Sequence, residues 1–412
     1  MTTWSLSTPN KVPLAMPLTP LAPQAQSSSA QNSLSPLPPL DIPRRIISNP
    51  ALRPVSDKLM AGQRLERRDG LALMQSRDLL GLGALAHAVR LAKNGNQAFY
   101  VLNRHINYSN ICVNGCTFCA YGRESGQEGG FLLSPEEAAA KAGAGSLPVD
   151  ELHIVGSCHP NLPFSYYLEL LTALHAARPQ ATLKAFTPVE IDHFANISRQ
   201  SPLEVLHQLH AAGLRAMPGG GAEIFAPRVR QRLCPQKTSG QRWLEISGLA
   251  HTLGIPTNAT MLYGHVESAE ERVDHLLALR DQQDQSGGFS AFIPLAFHSQ
   301  NTKLGEISPT SGLDDLRVVA ASRLMLDNFP HIKAYWVMLG PKLAQVALNF
   351  GADDLDGTIV EEHITHMAGG TTAQGLSESQ LRGMIQAADF EPVRRDSFYN
   401  PLPVLASAEV VA

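Results

Sequence analysis

The sequence predicts an α/β fold: a TIM-like (β/α) barrel with helical additions before and after it. Short apolar runs alternate with amphipathic helical segments over residues 98–365, and strand–helix repetition of this kind builds a parallel sheet. Seven or eight repeats are enough to close such a sheet on itself, and one α/β barrel fills that length as a single unit. Three of the chain's five cysteines follow the first run, at the strand end where barrels place their chemistry.

The runs that read as strands are 98–106, 151–155, 182–186, 214–217, 256–262, 289–294 and 333–337, with a weaker eighth at 356–360. Helical periodicity covers 134–144, 164–177, 202–212, 241–253, 269–285, 313–328 and 341–350. Before the barrel, 57–65, 68–76 and 78–94 repeat apolar residues every three or four positions; Asp78 is placed as an N-cap and Gly95 as a stop. A last helix is expected over 377–388. The expected organisation is an N-terminal extension (1–54), a helical segment (55–97), the barrel (98–365) and a helical C-terminal segment with a tail (366–412).

The extension is rich in Ser, Pro, Thr and Gln and contains Pro36-Leu37-Pro38-Pro39-Leu40. It lacks the apolar surface that offsets ordering entropy, so disorder is expected there. Its few arginines and missing basic–apolar pattern argue against a targeting peptide.

With 412 residues, 44% of them hydrophobic, the chain can bury a large core. A net charge of −4 offers no attraction to nucleic acid or an anionic membrane surface. No apolar run approaches the roughly 18 residues that span a bilayer. Five cysteines, an odd and sparse set, do not make a disulfide framework and fit a reducing, cytoplasmic setting.

The chemistry-bearing motif is Cys112-Val113-Asn114-Gly115-Cys116-Thr117-Phe118-Cys119. Three thiolates on one short loop can hold three irons of a 4Fe–4S cube. A four-cysteine cluster is closed; three ligands leave one iron open. A structural zinc site is the alternative, but it wants a fourth Cys or His and often a second C-x2-C knuckle. No second knuckle exists, and His105 is the residue that could complete such a shell. Cys158 and Cys234 are isolated in sequence and read as buried thiols.

The cysteine spacing, with Phe118 before the last cysteine, resembles the radical SAM superfamily. The stretch His105-Ile106-Asn107-Tyr108-Ser109-Asn110-Ile111-Cys112 through Tyr121-Gly122-Arg123 is similar to the radical SAM enzymes of the futalosine route to menaquinone. So are Glu151 to Pro160, Lys184-Ala185-Phe186-Thr187, Met217 to Glu223 and Asn258 to His265. Together they resemble the aminofutalosine synthase family from about residue 56 to residue 400. The sister family, dehypoxanthine futalosine cyclase, shares several of these motifs. The synthases are favoured by Cys234-Pro235-Gln236-Lys237-Thr238, Ala296-Phe297-His298 and Asp353-Asp354-Leu355-Asp356-Gly357-Thr358. One departure stands out: where the family pattern has a second glycine and a leucine before His-Pro, this chain has Ser157-Cys158.

The resemblance implies a 4Fe–4S cluster on Cys112, Cys116 and Cys119, with S-adenosylmethionine chelated by the open iron. It implies that the 5′-deoxyadenosyl radical adds to the enol-ether double bond of 3-[(1-carboxyvinyl)oxy]benzoate, giving 6-amino-6-deoxyfutalosine, methionine and bicarbonate or carbon dioxide. The electron would come from a flavodoxin- or ferredoxin-type donor. Cofactor contacts are expected from Phe118, Gly156, Ser157, Glu190, Gly219, Gly220, Asn258 and Gly264. Gly156-Ser157 would face the methionine amino group or simply end a strand. Glu190 would reach ribose or that amino group, or be an ordinary carboxylate at a helix start. Glycines at 219–221 let a backbone approach a ligand closely. Asn258 reads equally as a ligand contact and as a satisfied core amide. A substrate with two carboxylates needs donors, and Arg123, His159 and His298 are the candidates. Competing readings are the sister cyclase or another radical SAM carbon–carbon bond former, and a non-catalytic zinc scaffold. The sequence sets no oligomeric state.

Overall fold

The computed structural model describes residue 40 and residues 46–404. Among the described residues there are nine strands: β1 (Gln97–Val101), β2 (Asn103–Ile106), β3 (Glu151–Ile154), β4 (Thr182–Ala185), β5 (Thr257–Tyr263), β6 (Phe289–Ala296), β7 (His331–Ile332), β8 (Asp354–Gly357) and β9 (Glu391–Arg394). Every pairing between them is parallel. β2, β3 and β4 form one ladder, β5, β6 and β7 a second, and β8, β1 and β9 a third. Single bridges stitch the ladders together: Lys184 to Ala216, Met217 to Thr257, Lys333 to Asp354 and Arg104 to Val360. The circuit β2-β3-β4-(216–217)-β5-β6-β7-β8 returns to β2, so the sheet closes as a barrel.

Helices pack outside, and their starts are written in the sequence. Ser134, Thr187, Ser201, Ser268 and Ser377 each cap a helix in a reciprocal box with Glu137, Glu190, Glu204, Glu271 and Gln380. Proline at the first turn assists three of them. The core includes fully buried Trp243, Trp336, Tyr108, Tyr167, Phe186, Phe194 and Phe289. Among the described residues no helix is long and apolar enough to cross a membrane.

Several elements differ from the sequence expectation. The run 98–106 is two strands, because Leu102 leaves the ladder: its N–H donates to the Asp150 carboxylate (3.2 Å) and its carbonyl accepts the Asp150 N–H (2.7 Å). The fourth run, 214–217, contributes only the two bridges at Ala216 and Met217. The seventh strand ends early. Trp336 opens a helical turn, Trp336–Leu339, and its indole N–H donates to the Gly357 carbonyl at 2.8 Å. The eighth lies slightly earlier than expected, at β8, and positive φ at Asp356 and Ile359 bends the chain away. β9 has no counterpart among the expected strands. It extends the sheet beside β1, after the helix Glu378–Gln386.

Of the expected extension, residues 1–39 and 41–45 lie outside the described residues. Residues 46–54 are built into the protein: Asn49 caps the turn Pro50–Leu52, and Ile47 and Leu52 are buried.

Candidate active site

The cysteine loop leaves β2 at Ile106 and is tied down at both sides. Cys112 N–H donates to Arg123 O (2.9 Å), Val113 N–H to Cys158 O (3.0 Å) and Thr117 N–H to Leu233 O (2.8 Å). Gly115 turns the loop with φ +56°. Gly122 N–H donates to Cys119 Sγ at 3.2 Å. A Cβ on Gly122 would stand 3.6 Å from Cys119 Sγ and 3.8 Å from Cys112 Cβ, so these two side chains converge on one spot.

Cys112, Cys116 and Cys119 all line one cavity of about 330 Å³ inside the barrel mouth. Soft thiolate donors facing one cavity fit an iron–sulfur cluster. His105 does not complete a zinc shell with them; its ring stacks on His153. Cys158 and Cys234, isolated in sequence, both reach the loop. Cys158 Sγ accepts from the Asn114 side-chain amide at 3.3 Å. Its thiol lies beside Cys112, and that of Cys234 beside Cys116; the Cys158 contact holds the Cys112 thiol down at about 6.

Most of the expected cofactor residues meet here. Phe118, Gly156, Ser157, Glu190, Gly219, Gly220 and Asn258 line the same cavity. Ser157 Oγ donates to Ile111 O at 2.7 Å, fastening the end of β3 to the cysteine loop. Glu190 is buried, which raises its pKa, yet four donors surround it. Tyr108 OH (2.7 Å) and Gly156 N–H (3.2 Å) donate to one oxygen; Thr187 N–H (2.7 Å) and Oγ1–H (2.9 Å) donate to the other. Its carboxylate is therefore occupied by the protein, and the Gly156 carbonyl receives no backbone donor among the described residues.

A Cβ on Gly219 would stand 2.5 Å from the Asn258 carbonyl, so only glycine lets this turn lie against β5. Thr260 Oγ1–H donates to the Gly219 carbonyl at 2.6 Å. Asn258 accepts from Ser290 Oγ at 2.9 Å, and its amide nitrogen has no acceptor among the described residues. Asn258 is thus half satisfied in the core and half available to the cavity.

Three candidates do not line the cavity. Arg123 donates to the carbonyls of Ala120 (2.8 Å) and Gly122 (2.9 Å), so its guanidinium staples the loop it follows. His159 turns away: its Nδ1 accepts Asn161 N–H at 3.2 Å, and its carbonyl bonds His193 Nε2 at 2.9 Å. Gly264 packs on Thr310, and its N–H donates to Glu267 at 2.6 Å. His298 does line the cavity, with Nε2 bonded to Met338 O at 3.0 Å.

The sequence reading missed Lys237 as a cavity residue, although it lies in a quoted motif. Lys237 Nζ pairs with Glu223 at 2.5 Å and sits 5.4 Å from the Phe118 ring centre. Burial opposes its charge, but Glu223 and the adjacent cysteines hold its pKa above the usual lysine range. It is the one lysine or arginine among the residues lining the cavity.

Comparison with known proteins agrees with this geometry. Residues 106–279 match the radical SAM superfamily and residues 286–408 the CofH/MqnC C-terminal region. The chain is 49% identical over 365 residues to an aminodeoxyfutalosine synthase of Thermus thermophilus, covering 87% of this chain and 98% of that one. It is 44% identical to an aminodeoxyfutalosine synthase of Streptomyces coelicolor, covering 85% and 94%. A Methanopyrus kandleri protein named 5-amino-6-(D-ribitylamino)uracil–L-tyrosine 4-hydroxyphenyl transferase is 39% identical over 77% of this chain and 88% of that one. Among solved structures, methylornithine synthase (PylB) superposes with TM-score 0.66 at 18% identity, covering 82% of this chain and 97% of that one. The hydrogenase maturase HydG of Carboxydothermus hydrogenoformans gives 0.65 at 17%, covering 84% and 80%. These two show the fold alone, the TIM-barrel-like radical SAM fold. The superfamily implies a 4Fe–4S cluster, S-adenosylmethionine and a small-molecule substrate. The chain is an enzyme of the radical SAM superfamily and belongs to the family of the aminodeoxyfutalosine synthases.

Proposed function

We propose that this enzyme joins the adenosyl group of S-adenosylmethionine to 3-[(1-carboxyvinyl)oxy]benzoate, forming 6-amino-6-deoxyfutalosine with methionine and bicarbonate or carbon dioxide, in menaquinone biosynthesis. The supporting observation is the 49% identity with a named aminodeoxyfutalosine synthase across 98% of its length. When bound, the cluster supplies the electron that cleaves S-adenosylmethionine, whose adenosyl radical adds to the enol-ether double bond.

The chain's own residues supply binding, orientation and exclusion of water. Cys112, Cys116 and Cys119 would hold three irons. The Gly156 carbonyl is free to accept from the methionine amino group, while Glu190 keeps that strand end in place. Ser157 fastens the same corner through Ile111. Lys237, the fixed cation at the cysteine end, complements the methionine carboxylate. The backbone at Gly219-Gly220 and the open amide of Asn258 suit ribose and adenine. His298 stands where a substrate oxygen can reach it, and the apolar wall of Ile293, Leu295 and Phe297 keeps water from the reacting carbon. Reduction would come from a flavodoxin- or ferredoxin-type protein.

The 39% identity with the M. kandleri transferase favours a second reading, chemistry on tyrosine and a ribitylaminouracil. Anaerobic incubation of reduced, reconstituted enzyme with S-adenosylmethionine and each substrate set separates them. Mass spectrometry is expected to find 6-amino-6-deoxyfutalosine from the enolpyruvyl benzoate and no product from tyrosine with the ribitylaminouracil. The reverse pattern would overturn the assignment.

A further inference from the structure

The inner layer of the barrel holds two histidines that the reading above does not use. β2, β3 and β4 run in register, with His105 beside His153 and His153 beside Lys184. Side chains alternate across a strand, so these three share one face. The cavity lies on that face, since both histidines line it. The imidazoles lie face to face, 4.4 Å between centres and 12° from parallel.

Lys184 is committed to Glu151 at 3.4 Å, and Lys333 to Asp356 at 3.3 Å. Behind them Arg395 is committed to Asp354 at 2.7 Å. Glu362, two residues past the Val360 carbonyl that accepts the His105 N–H, receives the Thr365 N–H at 2.9 Å and bonds His366 at 3.0 Å. Each of these three cations is therefore already matched by a carboxylate, and Glu362 is held by its own turn. His105 is 6% exposed, and its ring has no hydrogen-bond partner among the described residues. His153 Nδ1 stands 3.7 Å from Glu151, and Nε2 has no hydrogen-bond partner among the described residues. Burial, and after it the neighbouring His153, keep His105 well below the ordinary histidine range, so its ring rests neutral.

Two unpaired imidazoles in the barrel-mouth cavity have a clear chemical use. An arriving anion supplies the charge that makes protonation of a buried histidine favourable. Ile293, Leu295, Met338 and the Tyr335 ring line the same cavity and suit a flat apolar body. The fixed cation of the cavity, Lys237, lies at the cysteine end, where the reading above gives it the methionine carboxylate.

We propose that the His105–His153 pair is the subsite for an aryl carboxylate, which binds with uptake of one proton shared by the two rings. On the functional reading above, on which this assignment rests, the group is the ring carboxylate of the enolpyruvyl benzoate.

The test is calorimetric titration of the reconstituted holoenzyme, without reductant, with 3-[(1-carboxyvinyl)oxy]benzoate and with benzoate. Running it in phosphate and in Tris at one pH reads the protons exchanged. The wild type is expected to take up about one proton per ligand. His153→Gln is expected to abolish uptake and weaken binding of both acids about 10- to 100-fold, while methyl benzoate binds both proteins alike. No uptake by the wild type, or unchanged uptake and affinity in H153Q, overturns the proposal. Should H153Q not fold, the wild-type buffer comparison decides alone. Histidine-dependent benzoate binding in an enzyme that does not convert the enolpyruvyl benzoate would overturn the functional reading and support the subsite. Conversion with binding indifferent to the histidines would do the opposite.

Discussion

Gly156 N–H donates to Glu190 Oε1 at 3.2 Å, and this contact locks the end of β3 to the helix that follows β4. Tyr108 OH completes the lock at 2.7 Å. Gly156 has to be glycine here, because a Cβ would stand 2.5 Å from the Tyr108 ring.

Glu190→Gln turns an amide N–H toward the Thr187 donors and leaves them unpaired. The expected cost is about 2 kcal/mol of folding stability, read by denaturant unfolding, with at least tenfold weaker S-adenosylmethionine binding. Unchanged affinity would show that Glu190 only caps its helix.

Alanine at Cys112, Cys116 or Cys119 is expected to remove the visible iron–sulfur absorbance and the bound iron. Alanine at Cys158 or Cys234 is expected to keep both, since each thiol stands outside the Cys112–Cys119 loop that carries the three ligands. Iron analysis after anaerobic reconstitution checks each variant. A Cys158→Ala protein without cluster would move that thiol into the ligand set.

Lys237→Met strands Glu223 in the interior at φ +48°. Breaking one side of a buried pair costs about 3 kcal/mol. Thermal unfolding is expected to show this loss, and equilibrium binding a rise in the Kd for S-adenosylmethionine. Lys237→Arg is expected to restore part of both.

Acid should loosen the barrel through the buried His275 and the half-buried His251. Burial holds His275 at about 3 and His251 at about 4, against an ordinary 6.5. Below pH 6.5 the unfolded chain takes up protons that the folded chain refuses, so stability falls as pH drops from 7. Between pH 7 and 5 each histidine accounts for about 2 kcal/mol. Glutamine at position 275 can still donate to the Thr260 carbonyl, which His275 Nε2 bonds at 2.9 Å. Denaturant unfolding at pH 7 and 5 is expected to show a shallower loss for His275→Gln than for the wild type.

The barrel and the cysteine loop were legible because their signals are local. Strand–helix alternation repeats in the chain, and the three cysteines lie within eight residues of one another. The His105–His153 pair was not legible, because two residues far apart in sequence become neighbours only when β2 and β3 take their register. Arg123 was read as a substrate donor from its charge. Its guanidinium instead satisfies carbonyls of its own tight loop, a need that composition does not display. β9 is four residues long and includes a proline, so it carries almost no strand pattern of its own.

The most direct measurement follows the adenosyl group. Reduced holoenzyme is given S-adenosylmethionine labelled in its adenosyl part, together with the enolpyruvyl benzoate, and the label is traced by mass spectrometry. The label is expected in 6-amino-6-deoxyfutalosine, in step with methionine release. Label found only in free 5′-deoxyadenosine would contradict adenosyl transfer and indicate hydrogen abstraction instead.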